Sequence, residues 1–326
     1  MRILIALVIC AVLVAGQTAW AAKNPPSRPQ PVDPMPNSGG QNVDSGSTGS
    51  TTSGGKVDSA AVAALKSAEA AYATVTDPLT DGPKLRDALK TGLAQVEKFQ
   101  QTQDYDHLVD CLFLVGNCYY ELGEWANAEK FMTMCNELGN RYFPDQMGSA
   151  PLKVIGDSQY QQNKPEDALK SYQERVAKLD KQGATADAGE RAGSLFDVGE
   201  MLIKLDRSPE ALPILEQSET ANAAAATALS KAGSTATQQD KDANVIDHAE
   251  IVYDQAISLF KQSKFPECRT RLEKALGLFD SIQSTGRENV ADRMVSVLDD
   301  LVVVCDKVGD KTASDTYKAR RDKLNQ

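Results

Sequence analysis

The feature that most constrains the fold is a spacing of small, turn-forming and apolar residues that recurs four times between residues 116 and 272. Each copy begins at a small residue, with a turn former seven positions later and a second small residue twelve positions later. In most copies a large apolar residue follows at sixteen. The copies begin at Gly116, Gly156, Gly199 and Ala256, and their turn formers are Gly123, Asn163, Asp206 and Ser263. Because the flanking apolar residues have helical periodicity, the spacing predicts a repeated helix–turn–helix.

The residues after each turn indicate where the second helix begins. Three copies open it with a Pro–Glu pair, at residues 165–166, 209–210 and 266–267. Proline is tolerated in the first helical turn, and an acidic residue is favourable near the positive end of a helix. The first copy instead has Trp125 two positions after Gly123.

Helical patterns also flank these copies. The segments SAAVAALKSAEAAYATV and GPKLRDALKTGLAQVEKFQQ predict a preceding helical pair within residues 58–104. The segment TANAAAATALSKAGSTATQQDKDAN predicts a helix extended to about Lys231 and then a loop. A fifth, weaker copy is centred on Val302, Cys305 and Gly309.

This pattern resembles the tetratricopeptide repeat, a helix–turn–helix unit of about 34 residues. The strongest match is Val109 to Asn140, where Tyr119 and Trp125 fit the aromatic positions. The resemblance implies that Gly116 and Ala128 face each other across two closely packed helices, while Gly123 ends the first. The copies start 40, 43 and 57 residues apart, so the repeats are lengthened. We expect an all-α solenoid, a right-handed superhelix of five to six antiparallel helix pairs.

The resemblance also implies a concave groove lined by the first helix of each pair, which binds a peptide or protein segment. Its positions lie three residues before each origin and one and four residues after it. They hold Phe113, Asn117 and Tyr120; Lys153, Asp157 and Tyr160; Phe196, Glu200 and Ile203; and Tyr253, Ile257 and Phe260. Asn117 and Lys153 alone do not complete the clamp that some family members use for a terminal carboxylate.

Two alternatives stay open at this point. The groove aromatics could pack against the neighbouring helix, because aromatic residues at helical spacing are commonly core residues. The protein could also be a structural component of an envelope assembly, with no groove ligand. The exposure of the groove residues is the first observation that separates these hypotheses.

The N-terminal residues predict export to a periplasm or the extracellular medium. Residues 1–21 carry one early cation, an apolar run and an Ala–Trp–Ala cleavage pattern, which is typical of a signal peptide. An uncleaved membrane anchor is the alternative, although about 20 apolar residues are needed to span a bilayer. Residues 22–56 are rich in Pro, Gly and Ser and predict a disordered linker. Residues 57–326 then form the helical repeat domain.

Charge and motif content argue against several functions. A net charge of -10 opposes binding to nucleic acid. The sequence contains two histidines, His107 and His248, and neither has a neighbour at metal-ligand spacing, so we expect both on helix surfaces. No nucleophile or phosphate-loop motif is present. We therefore expect no catalysis, no cofactor and no metal.

Five cysteines remain after the predicted cleavage, at residues 111, 118, 135, 268 and 305. An odd number cannot form a complete intrachain disulfide framework, and buried free thiols are the expectation. If one bridge forms, we expect Cys111 or Cys118 with Cys135.

The cleavage pattern leads to a direct prediction. Ala19 and Ala21 frame the expected site, so the exported chain should begin at Ala22. Intact-mass analysis of the exported protein measures this. A mass that includes residues 1–21 would support the anchor instead.

Overall fold

The computed structural model describes residues 57–183, 187–231, 235–286 and 288–325. The predicted signal peptide and the whole predicted linker lie outside these residues. The described chain forms two compact units, residues 57–162 (unit 1) and 163–325 (unit 2). Both contain helices and, within the described residues, no strand. The all-α prediction is therefore confirmed.

Unit 1 contains α1 to α5, whose bounds are Ser59–Ala73, Gly82–Thr102, Tyr105–Glu121, Trp125–Tyr142 and Ala150–Gln161. Unit 2 contains α6 to α12, with bounds Pro165–Gln182, Ala188–Lys204, Ser208–Ser230, Gln238–Lys261, Phe265–Gln283, Ala291–Val308 and Lys311–Leu324. The predicted preceding pair corresponds to α1 and α2, and the predicted extension of α8 ends within a residue of Lys231. The weak fifth copy is a complete pair, α11 and α12.

The turns that join paired helices share one backbone conformation. The four predicted turn formers have positive φ angles, 73° at Gly123, 58° at Asn163, 57° at Asp206 and 60° at Ser263. The turn after α3 closes with two hydrogen bonds: the Gly123 N–H donates to the Tyr120 carbonyl at 3.0 Å, and the Glu124 N–H donates to the Tyr119 carbonyl at 2.9 Å. This pattern ends a helix and satisfies its last carbonyls.

The same turn occurs at two places outside the four copies. Gly309, in the weak fifth copy, has a φ of 79°, and Gln103, between α2 and α3, has a φ of 56°. The Asp104 N–H donates to the Phe99 carbonyl at 3.0 Å and the Asp310 N–H to the Cys305 carbonyl at 2.9 Å. The sequence reading missed the Gln103 turn, since Gln is not a turn-forming residue.

In two of the copies, the glycine that begins the copy makes room for the large residue sixteen positions later. A Cβ added at Gly116 would lie 2.8 Å from Met132 Cγ, and one added at Gly199 would lie 2.6 Å from Leu215 Cγ. The expectation that Gly116 mainly faces Ala128 is therefore corrected. Ala128 is fully buried, but the three side-chain atoms nearest to the Gly116 position all belong to Met132, because the longer side chain reaches across the helix pair.

Each unit has its own apolar core. In unit 1 it includes Leu65, Phe99, Leu112 and Cys135. In unit 2 the largest cluster joins residues of α9, α10 and α11, among them Leu259, Leu272, Phe279 and Leu298.

The five cysteines outside the predicted signal peptide are buried as free thiols, as expected. Two of them donate to backbone carbonyls: Cys111 Sγ to Gly92 at 3.0 Å and Cys135 Sγ to Val109 at 3.5 Å.

The two histidines are half-buried instead of lying freely on helix surfaces. His107 Nδ1 lies 2.9 Å from Asp104 Oδ2, and its ring stacks on Phe99. His248 Nε2 lies 3.1 Å from Glu219 Oε1.

Glu219 on α8 forms polar contacts with side chains of α9 and α10 and so links three helices of unit 2. It accepts a hydrogen bond from Gln255 Nε2 on α9 at 2.9 Å and forms ion pairs with Lys274 and Arg271 on α10. Burial alone would raise the pKa of Glu219, but hydrogen bonds from Lys274, Gln255 and His248 lower that pKa to about 2. Its ionised form therefore stabilises the folded unit.

The packing of the small residues predicts opposite effects for two glycines of α7. Gly199→Ala should lower the free energy of unfolding by about 1 to 2 kcal/mol, because overpacking against Leu215 outweighs the gain in helix propensity. Gly193 has no neighbouring atom within 4 Å of an added Cβ, so Gly193→Ala should raise stability by up to about 1 kcal/mol. Urea unfolding of both variants measures this difference, and stabilisation by both would contradict the assigned packing.

The Glu219 network predicts a stability that depends on pH. Glu219→Gln should cost about 1 to 3 kcal/mol at pH 7, because the variant loses a charged hydrogen-bond acceptor. The folded pKa is lowered, so the contribution is present above the unfolded pKa near 4.3 and is lost as the pH falls toward 2. Urea unfolding at pH 7, 5 and 3 should show the gap between wild type and variant closing. The control is Glu216→Gln, an exposed position on the same helix; an equal loss in both variants would count against the network.

Candidate functional site

The predicted groove residues all lie on first helices of helix pairs, as the repeat pattern requires. In unit 1 they are on α3 and α5, and in unit 2 they are on α7 and α9. Three of the six predicted residues of unit 1 are buried, whereas in unit 2 one of the six is buried and the other five are partly exposed.

In unit 1 three of the predicted residues bind one another. The Tyr120 hydroxyl donates to Asp157 Oδ2 at 3.1 Å, and Lys153 Nζ lies 2.5 Å from Asp157 Oδ1. The exposed fractions of Tyr120 and Asp157 are only 6% and 2%. The contacts within this cluster thus satisfy the Asp157 carboxylate internally.

Among the predicted groove aromatics of unit 1, Tyr120 is buried, which differs from an accessible groove position. Tyr120 packs edge-on against Trp125, with ring centroids 5.3 Å apart, and Asn117 is also buried. Phe113 is partly exposed and packs against the clusters of unit 1, and Tyr160 is also partly exposed. The position four residues after Gly116 faces the next first helix, α5, because α3 and α5 are in contact. Packing between first helices therefore outweighs exposure here.

In unit 2 more of the predicted residues remain accessible. Phe196 and Glu200 on α7 and Ile257 on α9 are half-exposed, whereas Ile203 is buried. Tyr253 and Phe260 are partly exposed and pack against the core of α9 to α11. Phe260 also meets Phe265 edge-on at 5.5 Å. We define the first-helix face of unit 2 as the accessible side chains of α7, α9 and α11 around these residues.

The structure adds acidic residues to this face that the sequence reading did not select. Asp247, Glu250 and Asp254 follow one another along α9 at intervals of three and four residues, which places them on one side of the helix. Glu250 pairs with Arg293 of α11 at 2.7 Å, and the Tyr253 hydroxyl donates to Asp300 of α11 at 2.6 Å. The three-and-four spacing was the sequence signal that could have identified them.

These carboxyl groups have perturbed acidities. Burial raises the pKa of Asp254 well above its ordinary range, and the charges of Glu200 and Glu250 raise it further. Burial also raises the pKa of Glu250 against the attraction of Arg293. For Asp300, burial raises the pKa to about 6 although the hydrogen bond from Tyr253 lowers it. The first-helix face of unit 2 thus crowds negative charges, with Asp247 exposed and Glu250, Asp254 and Asp300 partly shielded from water.

The first-helix face of unit 2 combines aromatic, aliphatic and acidic side chains. Within the part of the chain that the structure describes, no cluster of His, Cys, Asp or Glu is arranged to hold a metal ion. Among the same residues, no helix has the length and apolar character needed to cross a membrane. Aromatic, aliphatic and acidic side chains on neighbouring helices are suited to contact with another polypeptide.

Comparisons with known proteins agree with the repeat assignment. Residues 110–138 match the family model described as tetratricopeptide repeat. No curated protein matches the sequence. A solved structure with a similar fold is BtubC (BKLC) from P. vanneervenii, which is 12% identical, with 74% of this chain and 91% of that chain covered and a TM-score of 0.55.

A second solved structure, a Podosopora anserina kinesin light chain protein with nearly identical TPR-like repeats, is 11% identical. The match covers 70% of this chain and 97% of that chain, with a TM-score of 0.47. At 12% identity the likeness to BtubC concerns the fold alone. The chain thus has a tetratricopeptide-like helical-repeat fold, in which residues 110–138 are the repeat that the family model matches.

Proposed function

We propose that this protein is an exported scaffold that binds a peptide or protein segment on the first helices of its repeats. The observation that carries the proposal is the first-helix face of unit 2, where Phe196 and Ile257 are half-exposed on two helices that contact each other. Partly exposed apolar side chains on adjacent helices form a surface that can bury part of a partner. Export rests on the sequence of residues 1–21.

The two units differ in what they offer such a partner. In unit 1, Tyr120, Asp157 and Lys153 satisfy one another, so binding there would break existing contacts. In unit 2, a partner can cover Phe196 and Ile257 without displacing a side chain from the core. We therefore assign the principal contacts of unit 2 to these two residues, with Tyr253 and Phe260 as packed supports.

The fold supports a binding function over an enzymatic one. Repeats that stack helix pairs create extended surfaces, which helical-repeat proteins commonly use for binding. The perturbed carboxyl groups lie on the first-helix face of unit 2, and the sequence offers no nucleophile or phosphate-binding motif beside them. A scaffold therefore accounts for the exposed residues without invoking catalysis.

The proposal predicts separable effects on binding and stability. Phe196→Ala combined with Ile257→Ala should weaken partner binding at least tenfold, about 1.4 kcal/mol, with a small loss of folding stability. The measurement is a pull-down with the mature protein from medium or envelope extract, quantified by mass spectrometry per folded molecule. Thermal unfolding of the same samples gives the folded fraction.

The control variant is Leu79→Ala, which removes a side chain that is 93% exposed in unit 1. It should leave both binding and stability unchanged. If the Phe196/Ile257 variant unfolds the protein but capture per folded molecule stays the same, these residues are structural. That outcome would favour the envelope component without a groove ligand and contradict the proposed function.

A further inference from the structure

The acidic side of α9 carries more carboxylates than the neighbouring cations neutralise. Asp247, Glu250 and Asp254 lie on one side of the helix, and Ile257 continues the same side. Arg293 of α11 forms an ion pair with Glu250, in which Arg293 Nε lies 2.7 Å from Glu250 Oε1. Among the described residues, Asp247 and Asp254 form no hydrogen bond or ion pair. Arg293 thus acts on Glu250 and Asp247, whereas the charges that act on Asp254 are those of Glu200 and Glu250.

The repeat spacing shows what Asp254 lacks. Tyr253, three positions before its origin Ala256, donates to Asp300, which is two positions before Val302 on the next first helix. The equivalent pair one repeat earlier is Phe196 and Asp254. Phenylalanine has no hydroxyl, so the donor that satisfies Asp300 is missing for Asp254.

An external cation would complete this arrangement. Asp254 is partly shielded from water, which raises the cost of its charge, and Glu200 and Glu250 add repulsion at this carboxylate. An ammonium or guanidinium group would relieve both effects and form a charge-assisted hydrogen bond. The half-exposed Phe196 and Ile257 provide apolar contact beside it.

We infer that the first-helix face of unit 2 binds a basic segment of a partner protein. Lysine or arginine side chains pair with Asp254 and Asp247, and neighbouring apolar side chains cover Phe196 and Ile257. The charge complementarity identifies this occupant, since the face presents several carboxylates, and Arg293, the cation that acts on Asp247, is already paired with Glu250. This inference rests on the proposed function and specifies its class of partner.

The inference gives Asp254 opposite effects on binding and on stability. Asp254→Asn removes a repelled charge, so the free protein should melt at a higher temperature. The same change removes an acceptor for the partner's cation, so affinity for a basic segment should fall. If the role of Asp254 were purely structural, Asp254→Asn would instead lower the melting temperature.

The test is a selection from a display library of random twelve-residue peptides on the full mature protein. Peptides selected on the wild type should be enriched in lysine and arginine next to apolar residues. Their affinity should fall at least tenfold on the variant Asp247→Asn/Asp254→Asn. Raising the salt concentration from about 0.05 M to about 0.5 M should also weaken their binding to the wild type, and this measurement needs no variant.

The control variant is Glu174→Gln/Glu216→Gln, which makes the same change in net charge at two exposed positions on α6 and α8. It should bind the selected peptides as the wild type does. The inference would be overturned if the selected peptides lacked basic residues. If their binding were still lost on Phe196→Ala/Ile257→Ala, the proposed function would remain supported. Failure to select any peptide would count against both.

Discussion

The fold depends on one repeated constraint, the left-handed turn that reverses the chain between paired helices. At Gly123, Asp206, Ser263 and Gly309 a residue with positive φ ends the first helix, and two backbone hydrogen bonds satisfy its last carbonyls. Seven residues before the turn, Gly116 or Gly199 leaves space for Met132 or Leu215 of the second helix. The turn and this packing together fix the two helices of a pair against each other. They thereby position the outward side chains of the first helix.

Within unit 2, the carboxylates of α8 and α9 have different electrostatic environments. Glu219 on α8 is surrounded by donors and cations from α9 and α10, and its lowered pKa shows that its charge is stabilised. Asp254 on α9 faces further carboxylates, and its raised pKa shows that its charge is opposed. The first arrangement stabilises the fold. The second costs stability in the free protein, which is the pattern expected where a ligand supplies the missing interaction.

Local patterns predicted much of the fold. The turn formers, the Pro–Glu helix starts and the extension of α8 follow from backbone preferences that act over a few residues, and the structure agrees at each. The Gln103 turn was missed because its conformation is imposed by the surrounding helices, since the residue type does not favour it. The partner of Gly116 was assigned to Ala128 instead of Met132 because spacing alone does not show how far a long side chain reaches.

The site was less predictable because exposure depends on packing between consecutive first helices. Tyr120 and Tyr253 occupy groove positions by spacing, yet the first is buried with Asp157 and the second donates to Asp300. The lack of a donor for Asp254 becomes visible only when Tyr253–Asp300 is compared with Phe196 one repeat earlier. Site-specific photo-crosslinking in producing cells tests the central claim most directly, with the crosslinker at residue 257 or, as a control, at residue 216. The account predicts crosslinks to a partner from residue 257 alone, and crosslinks from residue 216 without any from residue 257 would contradict it.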